Sequence, residues 1–474
     1  DQRFGDLNMS GFVVPSALRE RFEAAGQGHV FKHVDDLTLP EAQAFIKSLE
    51  ALDLDRVLEI HRTAFASESK SAADVAIDDI SPLAAGDTLS SCDAATIDGW
   101  RQKGLEIIGR GGVAALILAG GQGTRLSSTA PKGLYDIGLP SKKSLFALNA
   151  GRIRRLSQLA SGNIPLVVMT SEANDGETRA AFAENKCYGL EKEEVLFFSQ
   201  GMLPAFMIDD KKLVLKTKSS LSWAPDGNGG VYRALEKSGT LEELAKRGVE
   251  YVHVVSVDNV LCRPCDPVFV GYCASKSVNV GSKAVWKASP EEKVGVLCTR
   301  RGRPAVVEYS ELPRALAEER DAAGELVYAA GNVCNHLLSV GFLKEAANAS
   351  PEVLPFHIAR KAVPILDDLT PKGPNAIKLE AFIFDAFALA ETQAALGVAR
   401  VDEFAAVKNA TGTDSPGSAL KATCALGAKW VTAAGGHVIG DGGVEVPTEL
   451  SYAGEGLEPI VKGKAAGTAS SYPT

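Results

Sequence analysis

The stretch VAALILAGGQGTRLSSTAPKG, Val113 to Gly133, decides how the rest of the chain is read. It opens with an apolar run, Val113 to Leu118, which predicts a buried parallel strand. The run ends in Gly120, Gly121 and Gly123, then Thr124-Arg125, then Pro131-Lys132. A strand feeding a glycine-rich turn exposes backbone N–H groups to a phosphate. Arg125 and Lys132 add two cations to the same loop, so the stretch predicts a nucleoside triphosphate site. A dinucleotide loop would need a third glycine where Leu126 stands, and a P-loop would need Gly-Lys-Ser/Thr. A nicotinamide-dependent dehydrogenase is therefore disfavoured.

From this strand onward, strands and helices alternate. Ser144 to Ala160 predicts an amphipathic helix, Ile164 to Thr170 a strand, Asn174 to Asn185 a helix and Val195 to Phe198 a strand. Val231 to Arg247 predicts a helix broken at Gly239, and Tyr251 to Val257 a buried strand ending in Asp258-Asn259. This rhythm predicts a doubly wound sheet with its ligand crevice at the carboxyl ends of the strands. Val278–Trp286, Val294–Thr299, Ala305–Tyr309 and His336–Val340 read as further strands, and Ile377 to Ala395 reads as a helix. Before the glycine cluster at 109–112 the chain reads as helical, with Thr38-Leu-Pro-Glu41 as a helix start. Three consecutive domains follow: mainly helical 1–108, an α/β domain 109–424 that carries the glycine loop, and a small β domain 425–474.

The 474 residues carry a net charge of −9, which argues against a general nucleic-acid binder. A local Lys and Arg cluster can still hold a small polyanion. No apolar run is long enough to span a membrane, and Asp1-Gln2-Arg3 does not read as a secretory leader. The eight cysteines read as free thiols, Cys262-Arg-Pro-Cys265 among them as loop cysteines, which predicts a reducing, cytoplasmic location.

Leu118-Ala-Gly-Gly-Gln-Gly-Thr-Arg-Leu126 with Pro131-Lys132 resembles the signature of nucleotide-sugar pyrophosphorylases. Phe198-Ser-Gln-Gly-Met-Leu-Pro204, Ala224-Pro-Asp-Gly-Asn-Gly-Gly-Val-Tyr-Arg233, Val257-Asp-Asn259, Val306-Val-Glu-Tyr-Ser310, Ala330-Gly-Asn332, Pro374-Asn-Ala-Ile-Lys378 and Val407-Lys-Asn409 narrow this further. Together they resemble the eukaryotic UDP-N-acetylhexosamine pyrophosphorylases over roughly residues 30 to 460. The resemblance implies a central Rossmann-like mixed sheet of glycosyltransferase-A-like type. Ser127, where the signature carries glycine, and a short C-terminal tail depart from the pattern.

The resemblance also implies the site. Leu118, Ala119, Gly120 and Gly121, the side chain of Gln200 and the backbone near Gly227 would hold the uracil, and Asn228 would approach the nucleotide or sugar. Asp258 would hold Mg²⁺ (or Mn²⁺), a hard ion suited to a carboxylate at a strand end. Gly295, Glu308 and Asn332 would contact the sugar, with Tyr309, Phe382 and Phe384 near the acetyl group. Arg125 and Lys132 would neutralise the departing pyrophosphate, while Lys408 and Lys378 would hold the sugar phosphate. The substrates implied are UTP and N-acetylglucosamine 1-phosphate, used by a monomer or weak dimer. A UDP-glucose or broad UDP-sugar pyrophosphorylase is the first alternative, and a non-catalytic nucleotide-sugar-binding regulator the second.

Overall fold

A computed structural model describes residues 12–74, 79–83, 87–121, 126, 130–350, 353–440 and 443–467. The described chain forms two compact units, each assembled from separate stretches of sequence.

The larger unit comprises 76–200, 231–348 and 384–474. It is built on an eleven-stranded sheet. In chain order its strands are β1 (Ile80–Pro82), β2 (Asp87–Thr88), β3 (Val113–Leu118), β4 (Leu166–Thr170), β5 (Val195–Ser199), β6 (Tyr251–Ser256), β7 (Val280–Trp286), β8 (Val296–Arg300), β9 (Arg303–Val307), β10 (Ala330–Ser339) and β11 (Gln393–Gly397). The main path runs β2-β11-β7-β10-β6-β3-β4-β5, while β8 pairs with β1, β9 and β10. Along the path every pairing is parallel except those of β10 with β6 and β7.

All six residues of β3 are buried, as a strand covered on both faces requires. From β3 the chain moves to β4 and β5 on one side, then returns to β6 on the other. The order therefore reverses between β3 and β6, and Leu118 and Ser256 are register partners at their carboxyl ends. Open α/β sheets place ligands at such a reversal.

The helices obey their local signals. Ser144 caps helix Leu145–Ala160 by accepting from the Ala147 N–H. Gly239, at φ 72°, separates helix Val231–Lys237 from helix Thr240–Lys246. The tail completes helix Pro416–Ala433 and adds the parallel strands His437–Ile439 and Ala465–Gly467.

The smaller unit comprises 1–75, 201–230 and 349–383. Its helices Leu39–Ala51 and Leu54–Asp74 share one apolar core with Phe206, Leu213, Leu221, Ile377 and Leu379. The Thr38 N–H and hydroxyl both donate to Glu41 Oε2, at 2.9 and 2.6 Å, as the helix-start signature predicts. Three consecutive domains were the sequence expectation; the compact units instead interleave, because strand pairing joins segments far apart in sequence. Phe206–Met207 pairs with Ala376–Ile377, for example.

One secondary-structure expectation is corrected. Ile377 to Ala395 is not a helix but strand Ala376–Glu380, a 3-10 segment Ile383–Leu389 and β11. Ile377 and Leu379 are buried while Lys378 and Glu380 are half-buried, a period of two that three phenylalanines nearby obscure.

Candidate active site

The reversal between β3 and β6 carries the predicted phosphate loop. The Val257 N–H donates to Leu118 O at 3.2 Å, locking the two strand ends together. Ala119 donates to Met169 O at 2.9 Å, which holds the same end against β4. Gln200 stands one residue beyond β5, and its N–H donates to Thr170 O at 2.9 Å. A methyl group on Gly120 would fall 2.8–2.9 Å from the Gln200 Cδ, Nε2 and Oε1 atoms. Glycine at 120 is thus what lets the backbone lie against this amide.

Lys132 opens a short 3-10 turn, Lys132–Leu134, and its N–H reaches Gly121 O at 3.4 Å. Phe146 fills the space where a Cβ on Gly133 would stand, so the turn after Lys132 requires glycine. Lys132 Nζ donates to Asp258 Oδ2 at 3.1 Å, and the two side chains are 17% and 15% exposed. Asp258 Oδ1 accepts from Ser256 Oγ at 2.7 Å. The pair therefore sits at the carboxyl end of β6, mostly but not wholly covered. Arg125, the second predicted cation, and Ser127 lie outside the described residues.

The predicted sugar contacts also gather in this unit. The Asn332 N–H donates to Gly295 O at 2.8 Å. A methyl group on Gly295 would stand 3.0 Å from Glu308 Oε1. Asn332 Oδ1 accepts from the Cys334 N–H at 3.0 Å, and Cys334 has a left-handed φ of 52°. The register of β10 against β7 slips here, between Ser282 and Ala284. The antiparallel register, in which Val255 of β6 pairs with Asn335, places Asn332 beyond the carboxyl end of β6. Burial pushes the Cys334 thiol up to about 12, with the Asp258 carboxylate adding to the shift and Lys408 opposing it. Tyr309 is 45% exposed and Phe384 is buried.

Lys408 is exposed, with its Nζ 5.6 Å from the Phe404 ring centre. The Val407 N–H donates to Asp258 O at 2.9 Å, which ties the lysine's chain to the strand end.

Gly227, Asn228, Lys378 and Phe382 belong to the smaller unit. Asn228 Oδ1 accepts from the Ile383 N–H at 2.9 Å, so this oxygen serves the local loop. The left-handed position is Gly227, at φ 89°, and not Asn228. Lys378 is half-buried opposite Ala359, in a three-stranded sheet. The Phe382 ring lies 4.5 Å from that of His357.

Two supports escaped the sequence reading. Asn174 is 2% exposed; its Nδ2 donates to Ala119 O at 2.9 Å and Gly121 O at 3.3 Å, which clamps the glycine turn. Asn259, equally buried, donates to Glu403 O at 2.8 Å and accepts from the Ala405 N–H at 3.0 Å. An asparagine at a helix start or after a strand reads as a turn residue. Only its buried partners reveal the clamp.

Cys262 and Cys265 are free and buried, and burial pushes the Cys262 thiol up to about 12. Such thiols are inert, not redox-poised. No described helix is long and apolar enough to cross a membrane.

A mostly parallel sheet with a glycine turn, an amide and a Lys–Asp pair at its reversal defines a phosphate-binding α/β protein of nucleotide-transferring type. Residues 58–414 match the UTP–glucose-1-phosphate uridylyltransferase family, and the chain belongs to it. It is 41% identical to the UDP-N-acetylhexosamine pyrophosphorylase-like protein 1 of Xenopus tropicalis, over 94% of this chain and 90% of that one. It is 40% identical to the UDP-N-acetylglucosamine pyrophosphorylase of Saccharomyces cerevisiae, over 94% and 97%. Its structure is similar to the uridine diphosphate N-acetylglucosamine pyrophosphorylase of Trypanosoma brucei crystallised with an inhibitor. There the TM-score is 0.82 and the identity 30%, over 95% of each chain.

Proposed function

We propose that the chain is a uridylyltransferase that converts UTP and N-acetylglucosamine 1-phosphate to UDP-N-acetylglucosamine and pyrophosphate. The observation that carries this reading is the Lys132–Asp258 pair at the reversal point, 3.1 Å apart and partly exposed. The names of the relatives, at 40 and 41% identity over 94% of the chain, support the amide sugar over glucose.

A sugar phosphate is already a dianion near pH 7, so its oxygen can attack the α-phosphorus without a strong general base. Pyrophosphate leaves in line, and catalysis rests on positioning and on neutralising charge. The amide of Gln200, held against Gly120, offers both a donor and an acceptor to a base edge. Lys132 supplies the cation beside the glycine turn, with Arg125 as its partner in sequence. Lys408 would hold the sugar phosphate, while Glu308 and Asn332 would meet the sugar hydroxyls and the acetamido group.

The donor set suits a hard cation held largely by substrate. The described residues contain no group of three His, Cys, Asp or Glu that could cage an ion. Asp258 offers a carboxylate of the kind Mg²⁺ shares with phosphates and waters. Asp258 would hold the ion, which when bound supplies charge neutralisation at the phosphate oxygens. The free cysteines support a reducing, cytoplasmic location; a monomer or weak dimer is the proposed state, to be read by light scattering.

A panel of sugar 1-phosphates with UTP and Mg²⁺, read as pyrophosphate released, tests the proposal. Preference for N-acetylglucosamine 1-phosphate is the expected result. Preference for glucose 1-phosphate would overturn the substrate, and release from no member of the panel would overturn the activity.

A further inference from the structure

Four charged side chains are packed together within the larger unit. Lys283, 1% exposed on β7, donates to Asp266 Oδ2 at 2.6 Å and to both Glu403 oxygens at 2.9 and 3.0 Å. Arg263 also pairs with Glu403, and it lies 3.3 Å from Asp266 Oδ2. Two cations meet two anions, so the cluster is neutral. Burying such a group gains little over an apolar plug of the same shape. What it does supply is one allowed arrangement of the segments it joins.

One of those segments leads to Lys408. Glu403 ends the short helix Arg400–Glu403. Its carbonyl is taken by Asn259 Nδ2, and the Asn259 Oδ1 atom takes the Ala405 N–H. The Val260 N–H donates to Ala405 O at 3.0 Å, and the Val407 N–H donates to Asp258 O at 2.9 Å. The Lys408 N–H then donates to Asp414 O at 2.6 Å. An exposed lysine thus stands on a backbone fixed at residue 403 by buried charge and at 405–407 by the strand end carrying Asp258. Small displacements of a charged group at a reacting centre cost rate steeply.

We propose that the Arg263–Asp266–Lys283–Glu403 cluster, through Asn259, is the positioning device that sets Lys408 relative to Asp258. This rests on the uridylyltransferase reading above. The test uses Glu403→Gln, which removes one charge at constant shape, and Asn259→Ala, which cuts the strap without touching the charges and remains informative should the first variant fail to fold. Each variant is expected to lose about tenfold in kcat with KM for UTP unchanged. In a Lys408→Ala background that loss is expected to vanish, because the residue being positioned is gone. Amide hydrogen exchange gives a readout free of activity: Ala405, Val407 and Lys408 should exchange faster while β3 stays protected. Losses that add fully to Lys408→Ala, or exchange at 405–408 no faster than in the parent, would overturn the proposal. A parent chain that releases no pyrophosphate would instead overturn the activity, and the exchange experiment would still decide the positioning.

Discussion

Two clusters of opposite charge in the larger unit use the same chemistry for opposite ends. Lys132 and Asp258 make one contact, at 3.1 Å, and each keeps about a sixth of its side chain exposed. Asp266, Lys283 and Glu403 are 5, 1 and 2% exposed and exchange several contacts, with Arg263, 19% exposed, at their edge. The first pair can be prised apart by an incoming polyanion at little cost, because water and substrate replace the lost partner. The second cannot give up a partner without leaving a charge stranded in apolar surroundings. Burial of Asp266, Lys283 and Glu403, not charge, separates the frame from the working pair.

The sharpest way to break this contrast is to remove one lysine from each. Lys283→Met leaves two buried carboxylates sharing Arg263 alone, one negative charge uncompensated, and is expected to cost about 3–5 kcal/mol of stability, read by urea denaturation. A cost under about 1 kcal/mol would show that the cluster is no frame. Lys132→Ala should do the reverse. Its turnover is expected to fall about 10²-fold, the scale of one lost electrostatic donor, with stability changed by no more than about 1 kcal/mol. Near-normal pyrophosphate release would remove Lys132 from the chemistry.

The next experiment concerns the buried neutral groups beside the frame. His253 bonds Asn335 Oδ1 through Nε2 at 2.6 Å and accepts the Cys265 N–H on Nδ1 at 2.6 Å. Burial holds His253 down to about 4, from an ordinary 6.5. As pH falls below 6.5 the unfolded chain takes up a proton that the folded one refuses. The share of stability that His253 controls is therefore full above that pH and falls by about 1.4 kcal/mol per unit toward pH 4, in addition to the shares of His61 and His336, which burial also lowers. Denaturation midpoints between pH 7 and 5 should show the slope, and His253→Gln should flatten it by that amount. An unchanged slope would mean that the imidazole titrates normally in the fold.

The smallest expected effect sharpens the working side of the contrast. Chelating divalent ions should abolish pyrophosphate release while moving Tm by less than about 2 °C, since an ion held chiefly by substrate contributes little to the empty fold. A large drop in Tm would instead make the ion part of the frame.

Much of this was legible in order along the chain. The β3 run, the glycine turn, the cap at Ser144, the break at Gly239 and the strand ending at Asp258 are local signals, and local physics decides them. The pairing of Lys132 with Asp258 was half legible: each residue was nominated, but the contact spans 126 positions. The helix expected over 377–395 failed because a buried strand and a half-buried helix look alike in an apolar, phenylalanine-rich stretch. Asn174, Asn259 and the Lys283 cluster were not legible, since their meaning lies wholly in partners distant in sequence.

The sequence by itself determined the alternation of elements and the prediction of a phosphate loop over 113–133, while its resemblance to a known family nominated Gln200, Asp258, Glu308, Asn332 and Lys408. Periodicity, turn chemistry and charge are properties of neighbouring residues, so one chain read in order suffices for them. Only the tertiary structure decided that the order reverses between β3 and β6, that the two units draw on alternating stretches of sequence, and that the antiparallel register of β10 places Asn332 past the end of β6. Those outcomes depend on which strands pair and on which charges are excluded from water, and both are settled by burial against segments far away in the chain.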